Sequence, residues 1–130
     1  MFSHVYYGVN DFKRAMSFYE PLMKALGLQL RFNEPSVPWA GWQPQEGGRP
    51  LFIVGRPFDG LPHSSGNGQM VAFAASSRAV VEAAYAVALQ SGGISEGKPG
   101  LRSHYHSNYF GAYIRDPEGN KICVACHSPE

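Results

Sequence analysis

The sequence predicts an α+β fold made of two tandem βαβββ modules, and three observations carry that expectation. A single offset of 66 residues carries Val5 onto Val71, Tyr7 onto Phe73, Ala15 onto Val81, Tyr19 onto Tyr85 and Gly27 onto Gly93, with no gap. Identities are few, but apolar positions and punctuation recur, as two copies of one supersecondary unit require. Each half opens with a β-rich segment followed by an amphipathic helix. Each half also ends around a glycine turn, Glu46-Gly47-Gly48-Arg49 in the first and Asp116-Pro117-Glu118-Gly119-Asn120 in the second.

Taken in order, His4 to Val9 is aromatic and β-branched and stops at Asn10-Asp11, a strand leading into a helix cap. Phe12, Ala15, Met16, Tyr19 and Met23 then recur at helical spacing, and Gly27 offers the left-handed position that ends a helix. One helix over Phe12 to Leu26 follows, with Pro21 expected to loosen a turn by removing a backbone donor. Leu28 to Asn33, Trp39 to Gln43 and Pro50 to Arg56 read as strands between Pro and Gly punctuation. In the second half, Met70 to Ala75 is a strand, Ser76-Ser77 a cap, and Arg78 to Gln90 a helix ending at Gly92-Gly93. Gly111 to Arg115 and Lys121 to His127 flank the last turn as strands. The domain plan is therefore one domain over 1–130: a first module over 1–57, a linker over 58–68 expected to be mobile, and a second module over 69–128.

Composition excludes several functions. At 130 residues the chain holds one core of normal size. With 44% apolar and 16% charged residues it is globular rather than disordered. A formal charge of +1 gives no sustained field for nucleic acid, so no nucleic-acid partner is expected. The longest mostly apolar stretch, Val71 to Leu89, is interrupted by Ser76, Ser77, Arg78 and Glu82, so no membrane span is expected either. Met1 to Val5 carries no export signal, which makes the cytoplasm the expected location. Cys123 and Cys126 have C-x-x-C spacing but sit on a strand, where positions three apart face opposite ways, so they read as ordinary thiols rather than a shared metal or redox pair.

The opening His4-Val-Tyr-Tyr-Gly-Val-Asn-Asp with Phe18-Tyr19, and the closing Tyr113-Ile-Arg-Asp-Pro-Glu-Gly-Asn-Lys-Ile, resemble the first strand and helix and the last hairpin of the vicinal oxygen chelate superfamily. This is the glyoxalase, bleomycin-resistance and extradiol-dioxygenase group. The resemblance spans nearly the whole chain and implies that the two modules form a curved mixed-sheet cup around a small-molecule ligand, in a homodimer. It also implies four metal ligands, one on the first and one on the last strand of each module. Position by position, His4 matches the first ligand, Met70 stands where the second histidine would be, and Cys123 occupies the acidic position four residues after the turn glycine. The remaining position falls on Leu51 or Ile53, neither of which can bind a metal.

A His, aliphatic, Met and Cys set lies outside the donors that Mg, Mn, Fe, Ni or Zn sites use. A divalent metal on His4 and Cys123 is therefore disfavoured, and the site reads as degenerate. The competing reading recruits His104, His106 and His127, with His104 and His106 as alternating strand neighbours; a soft Cu(I) or Zn site through Cys123, Met70 and His4 is a third. Without a metal, His4 is the candidate general base. The resemblance further implies a ligand pocket lined by Arg102, His104, Tyr105, His106, Asn108 and Tyr109 near Met70 and Cys123, with Trp39 and Trp42 as an aromatic wall. Two functions follow: a lyase, isomerase or dioxygenase acting on a small molecule, or a non-catalytic protein that sequesters one.

Overall fold

The computed structural model describes residues 1–130 and contains two helices and eight strands. The first module runs β1 (His4–Gly8), α1 (Phe12–Ala25), β2 (Gln29–Glu34), β3 (Trp39–Gln43) and β4 (Leu51–Gly55). The second runs β5 (Val71–Ala74), α2 (Arg78–Gln90), β6 (Ile94–Leu101), β7 (Phe110–Arg115) and β8 (Lys121–Cys126). Each forms its own four-stranded mixed sheet, in the orders β1-β4-β3-β2 and β5-β8-β7-β6, with the first strand parallel to the last. The βαβββ expectation thus holds twice over.

The helix caps follow the sequence signals. Asp11 is extended and its carboxylate accepts from the Arg14 amide, satisfying one of the donors a helix start leaves free. Ser77 does the same for Val80 in α2. Gly27 and Gly92 adopt φ of 75° and 103°, so the residue that leaves α2 through the left-handed region is Gly92, one before the position the offset marks. Gly93 is required for close packing instead, because a Cβ there would lie 2.7 Å from the Phe18 ring and 2.9 Å from the Ala88 carbonyl, so α1 packs against bare backbone. Pro21 sits within α1 without ending it.

The offset of 66 holds through β1, the helices and β2, and then drifts. Gly41 and Tyr113 stand opposite Ile53 and Cys123 in their sheets, so the offset is 72 at β7 and 70 at β8. The connection from β6 to β7 is therefore longer than its counterpart, and the last hairpin is shorter. The extra chain is the segment after Leu101. It does not continue as a strand through His104 and His106: Tyr105 N–H turns back to the Arg102 carbonyl at 2.9 Å, and Tyr109 N–H to that of His106 at 3.2 Å. Six residues in a row from Arg102 to Ser107 have polar or exposed side chains with no apolar face to pack, so turns replace the expected alternation.

One core joins the modules. Phe18, Tyr19, Leu22 and Met23 of α1, Val81, Ala84 and Ala88 of α2, and Trp42, Phe52, Val54, Ile114, Ile122, Val124 and Cys126 of the sheets belong to a single buried cluster. The inter-module contacts are specific. The Tyr7 hydroxyl donates to the Lys121 carbonyl at 2.5 Å and accepts from the Val71 amide at 2.9 Å. Phe52 and Phe73 meet edge to face at 4.9 Å. Asp116, in the last turn, accepts from the buried Tyr19 hydroxyl at 2.6 Å. The linker is fastened as well, since the His63 amide donates to Asn10 Oδ1 at 2.6 Å.

Candidate functional site

Alternation along each strand separates a face turned to the helices from a face turned away. Val5, Tyr7, Phe52, Val54, Ile122, Val124 and Cys126 pack with the helices. His4, Tyr6, Leu51, Ile53, Cys123 and Ala125 therefore lie on the opposite face, where the family resemblance places its metal ligands. Tyr6 pairs with Ile53 and Ala72 with Cys123, which identifies Ile53, not Leu51, as the counterpart of Cys123.

The donor chemistry of these positions does not fit a metal. No three His, Cys, Asp or Glu side chains anywhere in the chain group so as to hold an ion. His4 is exposed, and its ring hydrogen-bonds only to the hydroxyl of its neighbour Ser3, at 2.9 Å. Met70 is exposed and immediately precedes β5. Cys123 is fully buried beneath Tyr109, whose hydroxyl lies 3.4 Å from the sulfur and 3.0 Å from the Tyr113 hydroxyl. Burial pushes the Cys123 thiol above its ordinary range, so the thiolate that a metal or an electrophile needs is suppressed. Cys126 is also buried and free but belongs to the helix-facing core.

Most of the residues expected to line a pocket form an aromatic and imidazole cluster around Tyr109. Its ring centroid lies 4.9 Å from Tyr105, 5.7 Å from His106 and 5.2 Å from His127. His106 Nε2 and His127 Nδ1 share a hydrogen bond at 2.9 Å, while the Asn108 amide donates to His106 Nδ1 at 3.1 Å. His104 stacks on Tyr105 at 4.3 Å. The Arg102 guanidinium is turned back on its own loop, donating to the Gly100 and Lys98 carbonyls at 2.8 and 2.7 Å, and lies 5.5 Å from the Tyr113 ring. Desolvation, helped by hydrogen bonds to Cys123 and Tyr113, raises the Tyr109 phenol far above its usual range, so it stays a neutral donor.

The two tryptophans part company. Trp42 is core, packed among Tyr19 and Phe52 on the helix face, because even positions of β3 point inward. Trp39 lies at the other face, its ring tilted against Phe32 with centroids 4.9 Å apart, and its Nε1 donates to Glu34 at 2.7 Å. It borders a cavity of about 760 Å³ where β1, β3 and β4 meet the linker. Tyr6, Pro38, Trp39, Arg56, Phe58 and His63 are among its walls. Of the residues expected at a pocket, Trp39 alone lines this cavity. Arg56, Phe58 and His63 were missed because Arg56 was read only as the end of a strand and the other two as part of a mobile linker. The Pro57-Phe58 pair was the available signal, an apolar step in a stretch otherwise rich in Gly, Ser and Pro.

Comparison with known proteins follows the same lines. The family model described as the glyoxalase/bleomycin resistance protein/dioxygenase superfamily matches residues 1–124. A glyoxalase/bleomycin resistance protein from Albidiferax ferrireducens is 35% identical with a TM-score of 0.83, covering 98% of this chain and 99% of that one. A glyoxalase-related enzyme from Fulvimarina pelagi shares the fold at 16% identity and TM-score 0.73, covering 97% and 87%. A glyoxalase/bleomycin resistance protein/dioxygenase family enzyme from Burkholderia phytofirmans does so at 18% and 0.69, covering 97% and 98%. No curated protein matches the chain. Sequence pattern, duplicated architecture and these likenesses agree: the chain belongs to the glyoxalase/bleomycin resistance protein/dioxygenase superfamily.

Proposed function

We propose that this chain binds a small organic molecule on the outward face of its sheets without a resident metal ion, as a sequestering or carrier member of its superfamily. The observation that carries this reading is the donor set: His4, Ile53, Met70 and Cys123 are the residues at the positions that the family resemblance implies for four ligands, and no three His, Cys, Asp or Glu side chains group to hold an ion. Two hydrocarbon or thioether side chains and a thiol held neutral cannot supply the charge that a divalent ion needs. The family's metal-assisted lyase, isomerase and dioxygenase chemistries have nothing here to work through. What the face offers instead is aromatic surface and fixed hydrogen-bond donors, which suit recognition.

A homodimer belongs to the same reading. Ala72 and Ala74 are exposed on the face of β5 opposite Val71 and Phe73, next to Met70, and this apolar strip is one a second copy would cover. The test is metal analysis of protein purified without nickel resin, combined with a thermal-shift panel of chemically diverse small molecules in EDTA. Binding that survives EDTA, in protein free of stoichiometric metal, supports the proposal. A retained stoichiometric ion, or a panel with no concentration-dependent shift, overturns it.

A further inference from the structure

The cavity beside the linker has a one-sided chemistry. None of its lining residues is an aspartate or glutamate, whereas Arg56 and His63 both border it. The Arg56 side chain forms no ion pair or hydrogen bond within the chain; the two ion pairs present are Arg14 with Glu118 and Arg115 with Glu96. His63 Nε2 is buried with no hydrogen-bond partner, although its ring is held against Gly8, where a Cβ would lie 2.7 Å from Nδ1.

Two other polar groups in the wall, Tyr6 and Asn120, are already committed, whereas the side chains of Ser64, Ser65 and Gln69 form no hydrogen bond within the chain. The Tyr6 hydroxyl donates to the Arg56 carbonyl at 2.6 Å, which fixes the backbone that carries the guanidinium. The Asn120 amide donates to the Gly8 carbonyl and Asp116. One side of the wall is flat and apolar, with the rings of Tyr6, Trp39 and Phe58 beside Pro38 and Pro57, and those two serines and Gln69 also line the cavity. Phe58 is fully exposed to solvent, an uncovered aromatic at the mouth of the cavity.

Resting on the small-molecule reading above, we infer that this cavity takes a planar aromatic carboxylate, with Arg56 on the carboxylate and Tyr6, Trp39 and Phe58 against the ring. Guanidinium matches a carboxylate with paired donors, and aromatic walls favour a flat ring over a flexible chain. A cationic ligand would meet Arg56 with no acidic group to pair it.

Isothermal titration in EDTA at low salt with 2-naphthoate, 2-naphthalenemethanol and 2-naphthylmethylammonium tests this. The carboxylate should bind at least tenfold more tightly than the alcohol, and the ammonium most weakly. Arg56→Gln should abolish the preference while leaving the alcohol's affinity unchanged, and Arg56→Lys should restore part of it. Equal binding of carboxylate and alcohol, or a preference untouched by Arg56→Gln, overturns the assignment of ligand class while the binding function stands. Failure of all three probes overturns the cavity as their site; only failure of the broad panel as well removes the small-molecule reading.

Discussion

Removing the Tyr19 hydroxyl should loosen the junction of the two modules by an amount the structure allows to be estimated. Tyr19 comes from α1 and Asp116 from the turn between β7 and β8, and both are fully or almost fully buried. The Asp116 carboxylate accepts four bonds: from Tyr19 at 2.6 Å, from the Asn120 amide side chain and backbone at 2.9 Å each, and from the Glu118 backbone at 2.8 Å. Tyr19→Phe removes one charge-assisted bond, which is expected to cost about 1.5–2 kcal/mol because the carboxylate keeps its three other donors. Asp116→Ala removes all four and strands the Tyr19 hydroxyl and the Asn120 backbone N–H, while the Asn120 side chain keeps the Gly8 carbonyl. The relief of burying a charge offsets part of this loss, leaving about 2–4 kcal/mol. For a chain of this length each kcal/mol moves Tm by roughly 3–5 °C, so Asp116→Ala should melt about 6–20 °C low. Urea denaturation followed by circular dichroism on both single mutants and the double mutant gives the coupling directly. It should be about 1–2 kcal/mol. Strict additivity, or a Tyr19→Phe protein within about 0.5 kcal/mol of wild type, would refute the claim that this bond ties the modules together.

Alkaline pH should destabilise the fold. Burial raises the Cys123 thiol above 9.0 and the Tyr19 phenol well above 10.0, so the unfolded chain releases these protons first. Their contribution is complete below about pH 8 and is lost as pH rises from there, so urea midpoints should fall from about pH 7 to 9 and again from about pH 9 to 10.5, with Cys123→Ala flattening the first step. Neither cysteine should react with a thiol reagent at about pH 8 in the folded protein, and both should react after denaturation, as a colorimetric thiol count will show. Gly93→Ala should cost about 2 kcal/mol, since its Cβ meets the Ala88 carbonyl and two core side chains. Rebuilding the ligand positions with Ile53→His, Met70→His and Cys123→Glu beside His4 should create zinc affinity measurable by competition with a chelator dye; no gain over wild type would show that these four positions do not converge.

The parts of the fold legible in the sequence were those with strong local signals. β3 and α2 fall at the expected residues because Pro and Gly bracket the first, and a serine cap and a glycine bracket the second. β6 was implied by the repeat but carries no strand signature: Ile94-Ser-Glu-Gly-Lys-Pro-Gly-Leu has no apolar alternation. It is an edge strand with two register shifts, held by β7 rather than by its own propensity. Within the candidate site, the strand placement of Cys123 was legible because the turn at Asp116 to Asn120 fixes the register of β8. It was not legible in the loop after β6, where the offset slips and polar spacing says nothing about how the chain turns.

That slip bears on function as well as on alignment. The longer connection delivers Tyr109 onto Gly111, where a Cβ would lie 2.8 Å from the ring, and the phenol then caps Cys123. The second module's ligand position is thus altered twice, by a donor that stays protonated and by a ring that covers it. In the first module the matching position is Ile53, and the open volume lies farther along the strands, beside Gly55, Arg56 and the linker. On this face the open volume therefore lies at the strand ends beside an unpaired guanidinium, away from the position that Ile53 and Cys123 share in the two sheets, and a charged ligand group would be drawn to that end.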